Sequence, residues 1–439
     1  MDLSRFPTFR VAASDLNGQM RGKRVPGSFA AKLTKGAVRL PLSALNVDLW
    51  GADIEGSPLV FDSGDADGVL RPTGRGPVPI PWIDDPTALV PMSLYRDDGT
   101  PFPGDPRHAL KSVLDRYAER GWRVVAATEM EFTLVDASGD SPVPPVNPIT
   151  GRILSGESIL SVAEMDAFDA YFTDIYEACE AMGIPAQTAI SESGIGQFEM
   201  NLDHQDALRA ADDAWLFKVL ARGIARRHGF AATFMAKPYD DDAGNGMHVH
   251  FSVLDPAGRN IFDNGGPEGT ERLRAAVAGC LALMPASTLI FAPHGNSYQR
   301  MVPGAHAPTG ACWAYENRTA AIRIPGGAPA ARRIEHRVAG GDINPYLMLA
   351  VVLGAALIGI EDAMTPPAPI RGNAYALDGL PQLAPSWAEA VDRFETDPLI
   401  ARIFSPQLIR NLVMTKRQEI ARFAQMPPET HWLSYLETV

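Results

Sequence analysis

Cysteine is scarce in this chain: Cys179, Cys280 and Cys312 are the only three among 439 residues, odd in number and without a Cys-x-x-Cys pair. That excludes a disulfide framework and a thiolate zinc site, and a reducing, cytoplasmic location is expected. Basic residues are also outnumbered, 39 Lys and Arg against 52 Asp and Glu, for a net charge of −13. A nucleic-acid partner requires a basic face, so none is expected. Long hydrophobic runs are missing as well. The most apolar stretch, residues 346–360, is shorter than the roughly 18 residues that span a bilayer and reads as a buried helix. Residues 1–10 lack the apolar core of a signal peptide, so no membrane partner is expected.

What remains is a core-forming composition, 46% hydrophobic and 21% charged, on a chain too long for one ordinary core. Two domains are expected. The first hundred residues are rich in Gly, Pro and Asp, with short apolar runs at 37–42 and 57–61 that read as strands between turns. Three prolines at 101, 103 and 106 punctuate the chain, and an amphipathic helix over 107–120 follows. The boundary is placed there, giving domains 1–103 and 104–439. Beyond it, periodicity predicts helices over 166–182, 207–228, 269–284, 345–362 and 406–424. Strands are predicted over 122–135, 197–202, 230–236, 248–254, 319–324 and 333–338.

Side chains two apart on a strand share a face. Under that rule Glu129 pairs with Glu131 and Gln197 with Glu199, the latter preceded by Glu192 across a turn. His248, His250 and Ser252 line one side of their strand, and Arg333, Glu335 and Arg337 line another. Arg318 and Arg323 bracket a fifth segment. Any one of these alone reads as a strand with a solvated face. Together, among large apolar neighbours, they imply a buried sheet whose charges require counter-ions. Hard divalent cations suit carboxylate oxygens, and arginine forks suit phosphate. Glu129, Glu131, Glu192, Glu199, Glu335 and His248 would hold about two or three Mg²⁺ or Mn²⁺ ions, whereas zinc would bring more His or Cys. Arginines 300, 318, 323, 333 and 337 are then available to a phosphoryl group in transfer. Bland readings stand beside these. His250 also fits a neutral histidine satisfied within the sheet, Arg332 a surface cation, Gly244 a turn glycine, and Trp313, Tyr315 and Phe291 packing.

The segments Glu129-Met-Glu131, Glu192-Ser-Gly-Ile-Gly-Gln-Phe-Glu199, Gly244-Asn-Gly-Met-His248-Val-His250, Asn296-Ser-Tyr-Gln-Arg300, Asn317-Arg318-Thr-Ala-Ala-Ile-Arg323 and Arg332-Arg-Ile-Glu335-His-Arg337 resemble glutamine synthetase motifs, in that family's order. The resemblance spans nearly the whole chain. It implies an α+β fold: a small N-terminal β-grasp domain and a large C-terminal catalytic domain with a curved antiparallel sheet flanked by helices. It also implies a homo-oligomer of stacked hexameric rings, a dodecamer with sites between subunits. Glutamate, ATP and an amine would be its partners. By motif, Glu131, Glu192 and Glu199 resemble ligands of one metal, and Glu129, His248 and Glu335 ligands of a second. His250, Ser252, Arg323 and Arg333 resemble nucleotide contacts. Gly244, Arg300 and Arg337 resemble the glutamate site. Arg318, His306 and Asp48 resemble catalytic positions. The implied chemistry is γ-glutamyl phosphate formation followed by amine attack.

Two positions depart from the ammonia-using pattern. His306 stands where a glutamate is expected six residues after Arg300. Asp48 can stand for the aspartate that binds ammonium across the subunit boundary, but the serine expected beside it falls near Gly51. The spacing from Glu192 to Glu199 resembles that of γ-glutamylpolyamine and γ-glutamylmonoamine synthetases. These features imply an organic amine or polyamine as nucleophile. The alternatives are a glutamine synthetase using ammonia and a non-catalytic structural or regulatory member.

Overall fold

The protein is described by a computed structural model covering residues 1–439 apart from 137, 140 and 303–306, with the side chain of residue 34 also outside the description. Two sheets organise it. The first holds β1 (Thr8–Ser14), β2 (Met20–Pro26), β3 (Arg39–Pro41), β4 (Asp67–Pro72), β5 (Val78–Pro79) and β6 (Ala88–Tyr95). Its order is β2-β1-β6-β4-β3, with β5 on β6, and β1 runs parallel to β6. Alternation along these strands splits their side chains between two cores. Phe9, Val11 and Ala13 of β1 join Val90, Met92 and Leu94 of β6 in a small cluster, while Ala12 and Leu89 face the large one. The run at 57–61, expected as a strand, is a turn in which Ser57 O accepts from the amides of Val60 and Phe61. It has no partner strand among the described residues, and a lone run of five residues leaves its backbone groups to be satisfied locally.

The second sheet holds β7 (Arg123–Val135), β8 (Ala186–Ser191), β9 (Gln197–Asp206), β10 (Ala231–Thr233), β11 (Met247–Leu254), β12 (Trp313–Tyr315), β13 (Ile322–Ile324) and β14 (Ile334–His336). Its order is β12-β13-β14-β11-β7-β9-β8, with β10 on β7. The pairs are antiparallel except for β12 with β13, which is parallel. The overall class is α+β. Of the predicted elements, the helix over 166–182 divides into Val162–Ala167 and Asp169–Met182 at Phe168, whose ring meets Phe198 at 5.3 Å. The strand β8 and the helix Trp387–Thr396 were not predicted; the first has little hydrophobic alternation to reveal it.

The apolar helix Pro345–Glu361 is a core helix. Asn344 caps it, accepting from the Tyr346 amide at 3.0 Å, and Pro345 occupies its first turn. No helix among the described residues is long and apolar enough to cross a membrane. This helix crosses Glu271–Leu283 at Gly359 and Gly279, whose backbones touch: a Cβ on Gly279 would collide with Ala355 O and one on Gly359 with Ala275 O. Gly359→Ala is therefore expected to destabilise the protein by about 1–3 kcal/mol, measured by denaturant unfolding, because backbone cannot yield as a side-chain tip would.

Polar links join the two regions. Asn17 Nδ2 and the Leu49 amide both donate to Glu419 Oε1, at 2.7 and 2.8 Å, and Arg75 Nε donates to Asp213 Oδ1 at 2.6 Å.

Candidate active site

The site is a consequence of register. In β7, Met130 and Phe132 point into the core while Glu129 and Glu131 stay half-buried on the other face. In β11, Met247, Val249, Phe251 and Val253 enter the core, leaving His248, His250 and Ser252 opposite. Pairing sets His248 directly across from Glu129, Glu131 from Glu199, His250 from Glu335, and Arg323 from Glu335. Directly opposed side chains lie close enough to interact, so one face carries a continuous band of carboxylates, imidazoles and guanidinium.

Glu129 is the centre of that band. It accepts from His248 Nδ1 and His250 Nε2, both at 2.8 Å. Arg333 Nε donates to His250 Nδ1 at 3.2 Å, so the His250 proton lies on Nε2 and points at Glu129. Burial works to raise the Glu129 carboxyl, but hydrogen bonds from the two imidazoles outweigh it and hold it well below the usual carboxylate range. Burial likewise opposes Glu335, which Arg337 and the imidazoles hold down. Glu192 and Glu199 have no imidazole or guanidinium hydrogen-bonded to them among the described residues. Glu199 is pushed up to about 9 by burial and by Glu129, Glu131 and Glu192. Glu192 is pushed up to about 7 by burial, Glu131 and Glu129.

This donor set fits hard divalent cations. Carboxylates whose ionisation is opposed by burial and by one another are the groups a 2+ charge would relieve. Ligand atoms lie within 4.8 Å of one another in two sets, Glu129–Glu199–His248 and Glu129–His250–Glu335. The partition differs from the one the resemblance implies, because both imidazoles of β11 turn to Glu129. Glu131 instead accepts from the Gly246 amide at 2.5 Å and from Gln197 Nε2 at 3.2 Å.

Beside the band lies a cavity of about 700 Å³ whose lining includes Glu129, Asn201, His250, Ser252, Asn260 and Arg333. Ser252 Oγ donates to Arg332 O at 3.0 Å. Arg323 does not line this cavity; it pairs with Glu335 at 2.8 Å and Glu316 at 3.6 Å. Arg332, read as a surface cation, is 4% exposed and donates to Pro325 O and Gly266 O at 3.3 and 3.1 Å. Carbonyls of two glycine-bearing loops enclose it, which its sequence position did not reveal.

Arg300 is buried, donates to Val338 O at 3.0 Å, and lies over Gly244 and Gly246, where any Cβ would crowd it. Gly244 is thus a close-approach glycine. Arg337 donates to Glu335. Arg318 is exposed, with no hydrogen-bond partner among the described residues, and its charge acts on Glu192. Asp48 is brought elsewhere. It is 0% exposed, with Oδ1 accepting from the Trp50 and Ala52 amides at 3.0 and 2.8 Å, and Oδ2 facing Gln418 and Arg422 at 3.2 and 3.3 Å. His306 lies outside the described residues. One residue was missed. Asn201 donates to Glu199 Oε1 at 3.0 Å, and its spacing of two from Glu199 was a usable signal.

Residues 103–435 match the family described as glutamine synthetase, catalytic domain. The chain belongs to the glutamine synthetase family. As a member it is an ATP-dependent carbon–nitrogen ligase, of a family that is generally dependent on divalent metal. Its relatives in the family include Gamma-glutamylputrescine synthetase PuuA of Escherichia coli (strain K12), 34% identical over 435 residues, 98% of this chain and 92% of that protein. Glutamate–isopropylamine ligase of Pseudomonas sp is 32% identical over 450 residues, 98% of this chain and 95% of that one. The structure of a GmaS/ADP complex superposes with a TM-score of 0.84 at 28% identity, covering 98% of this chain and 97% of that one.

Proposed function

We propose that this enzyme joins the γ-carboxylate of glutamate to an organic amine at the expense of ATP, with Mg²⁺ or Mn²⁺ bound by Glu129, Glu131, Glu192, Glu199, His248 and Glu335. The observation that carries the reading is the band of carboxylates and imidazoles bordered on one side by the cavity of about 700 Å³ and on the other by buried Arg300. ATP enters the cavity, its phosphates directed toward the band by His250 and Arg333, with Arg323 behind them. Arg300 and Arg337 hold glutamate by its charged ends, on the floor that Gly244 provides. Bound by these carboxylates and His248, a divalent cation would supply charge neutralisation to the phosphates. The γ-carboxylate oxygen takes the γ-phosphoryl group, with ADP leaving, and Arg318 offers a guanidinium to the charge in transit. The amine nitrogen then attacks the acyl carbon, phosphate leaves and one amine proton is lost. Water is excluded because the mixed anhydride would hydrolyse.

The choice of amine over ammonium rests on His306 and Gly51, which stand where the ammonia-using pattern has a glutamate and a serine, and on the amine ligases among the relatives. In its own chain the Asp48 carboxylate accepts from the Trp50 and Ala52 amides and faces Arg422 at 3.3 Å. An organic amine brings an apolar body that can be held by shape instead. Wild type is therefore expected to release phosphate faster with putrescine, ethanolamine or an alkylamine than with ammonium. His306→Glu is expected to shift that ratio toward ammonium. A preference for ammonium, with His306→Glu neutral or harmful, would make the protein a glutamine synthetase in activity. Assembly as stacked hexameric rings is what the family resemblance implies; the exposed apolar side chains Ile149, Ile153, Ile159, Leu160 and Val162 support only that a partner covers this segment, whatever the symmetry.

A further inference from the structure

Behind Arg300 lies a buried polar link with no part in the chemistry above. Ser297 opens the one-turn helix that Arg300 closes. Its hydroxyl donates to Asp342 Oδ2 at 2.5 Å and accepts from the His294 amide at 3.0 Å. His294, Ser297 and Asp342 are 0, 2 and 1% exposed. Three residues on, Arg300 Nη1 donates to Val338 O. The segment 338–342 therefore grips the turn at two points, Val338 at the guanidinium and Asp342 at the first residue. That segment also begins one residue after Arg337. On the opposite side, a Cβ on Gly246 would stand 2.8 Å from Arg300 Nη2, so the guanidinium has no slack there.

A carboxylate kept this deep costs stability unless hydrogen bonds and positive charge compensate it. Burial pushes the Asp342 carboxyl up and the Lys218 amine well down; the Ser297 hydroxyl, with Lys218 and Arg300 nearby, opposes the shift at Asp342 without cancelling it, and Lys218 Nζ donates to Ile343 O at 3.1 Å. Asp342 Oδ1 has no hydrogen-bond partner among the described residues, and Asp342 lines neither the carboxylate band nor the cavity of about 700 Å³ beside it. What it does reach is the turn that aims Arg300.

We infer that Asp342 is a positioning residue which, through Ser297, fixes Arg300 relative to Arg337 and so sets the affinity of the site for glutamate. This rests on reading Arg300 and Arg337 as the glutamate clamps. The test is steady-state kinetics of the full-length enzyme with Mg²⁺ and amine. Ser297→Ala and Asp342→Asn are each expected to raise the glutamate KM by about tenfold, as misplacement of a clamp does, while kcat and the ATP KM stay within about twofold. The double variant should be no worse than the worse single one, because both break the same link. Ser297→Thr, which keeps the hydroxyl, should restore the KM. If Asp342→Asn melts below the assay temperature, Ser297→Ala carries the test. An unchanged glutamate KM in Ser297→Ala, or a parallel rise in both KM values, overturns the inference. Arg300→Lys separates the failures: if it leaves the glutamate KM unchanged, the clamp reading falls too. If it raises the KM while Ser297→Ala does not, only the positioning role falls.

Discussion

Glu129→Gln is expected to lower turnover by about two to three orders of magnitude, because this one carboxylate serves both candidate metal sets. Its two oxygens accept from His248 and His250 at once. Glutamine keeps the shape but has one acceptor oxygen. Its NH₂ would face whichever imidazole lost its partner, turning that ring or its tautomer. Metal affinity and turnover should fall together, read by Mn²⁺ binding and by phosphate release across a metal titration, with the melting temperature little changed. Excess metal should recover part of the loss. Full turnover at ordinary Mg²⁺ would remove Glu129 from the metal set, and a loss of stability alone would leave it a structural residue. Glu131→Gln is a less clean test, since Glu131 also anchors the Gly246 amide.

Arg318→Ala is expected to reduce kcat by about a thousandfold while ATP binding moves by less than about threefold, the pattern of a charge directed at a phosphoryl group in transfer. Its setting makes the test clear. Arg318 is exposed and free of hydrogen-bond partners among the described residues, so its removal leaves no buried group unsatisfied. The turn that carries it is held by Asn317, whose Oδ1 accepts from the Thr319 amide at 3.0 Å, and that contact survives the change. Rapid-quench measurement of acyl-phosphate formation, beside ATP binding by calorimetry, separates the two effects. A loss expressed wholly as weaker nucleotide binding would make Arg318 a ground-state contact.

Much of the site could be read from period two alone. Glu129 with Glu131, and His248 with His250 and Ser252, were placed on common faces by spacing, and the structure puts each pair there. The strands at 319–324 and 333–338 proved shorter than predicted, yet Glu335 still meets Arg323 and Arg337 because the central residues kept their register. The errors have a common source. The run at 57–61 and Arg332 both depend on what distant chain lies beside them: no neighbouring strand among the described residues, and two loops carrying Gly266 and Pro325.

The sequence by itself determined the family, the alternation that turns charge to one face, and the expectation that such a face holds cations and phosphate. These are local or ordered along the chain, since side-chain direction follows from backbone period and motif order survives divergence. Only the tertiary structure decided which charges meet. The pairing of β7 with β9 and β11 put Glu131 against Glu199 and gave Glu129 both histidines. The docking of 406–423 beneath 46–53 gave Asp48 to Arg422. Register and docking are fixed by the packing of residues far apart in sequence, so a shift of one residue would leave every local pattern intact and turn the whole band to the other face.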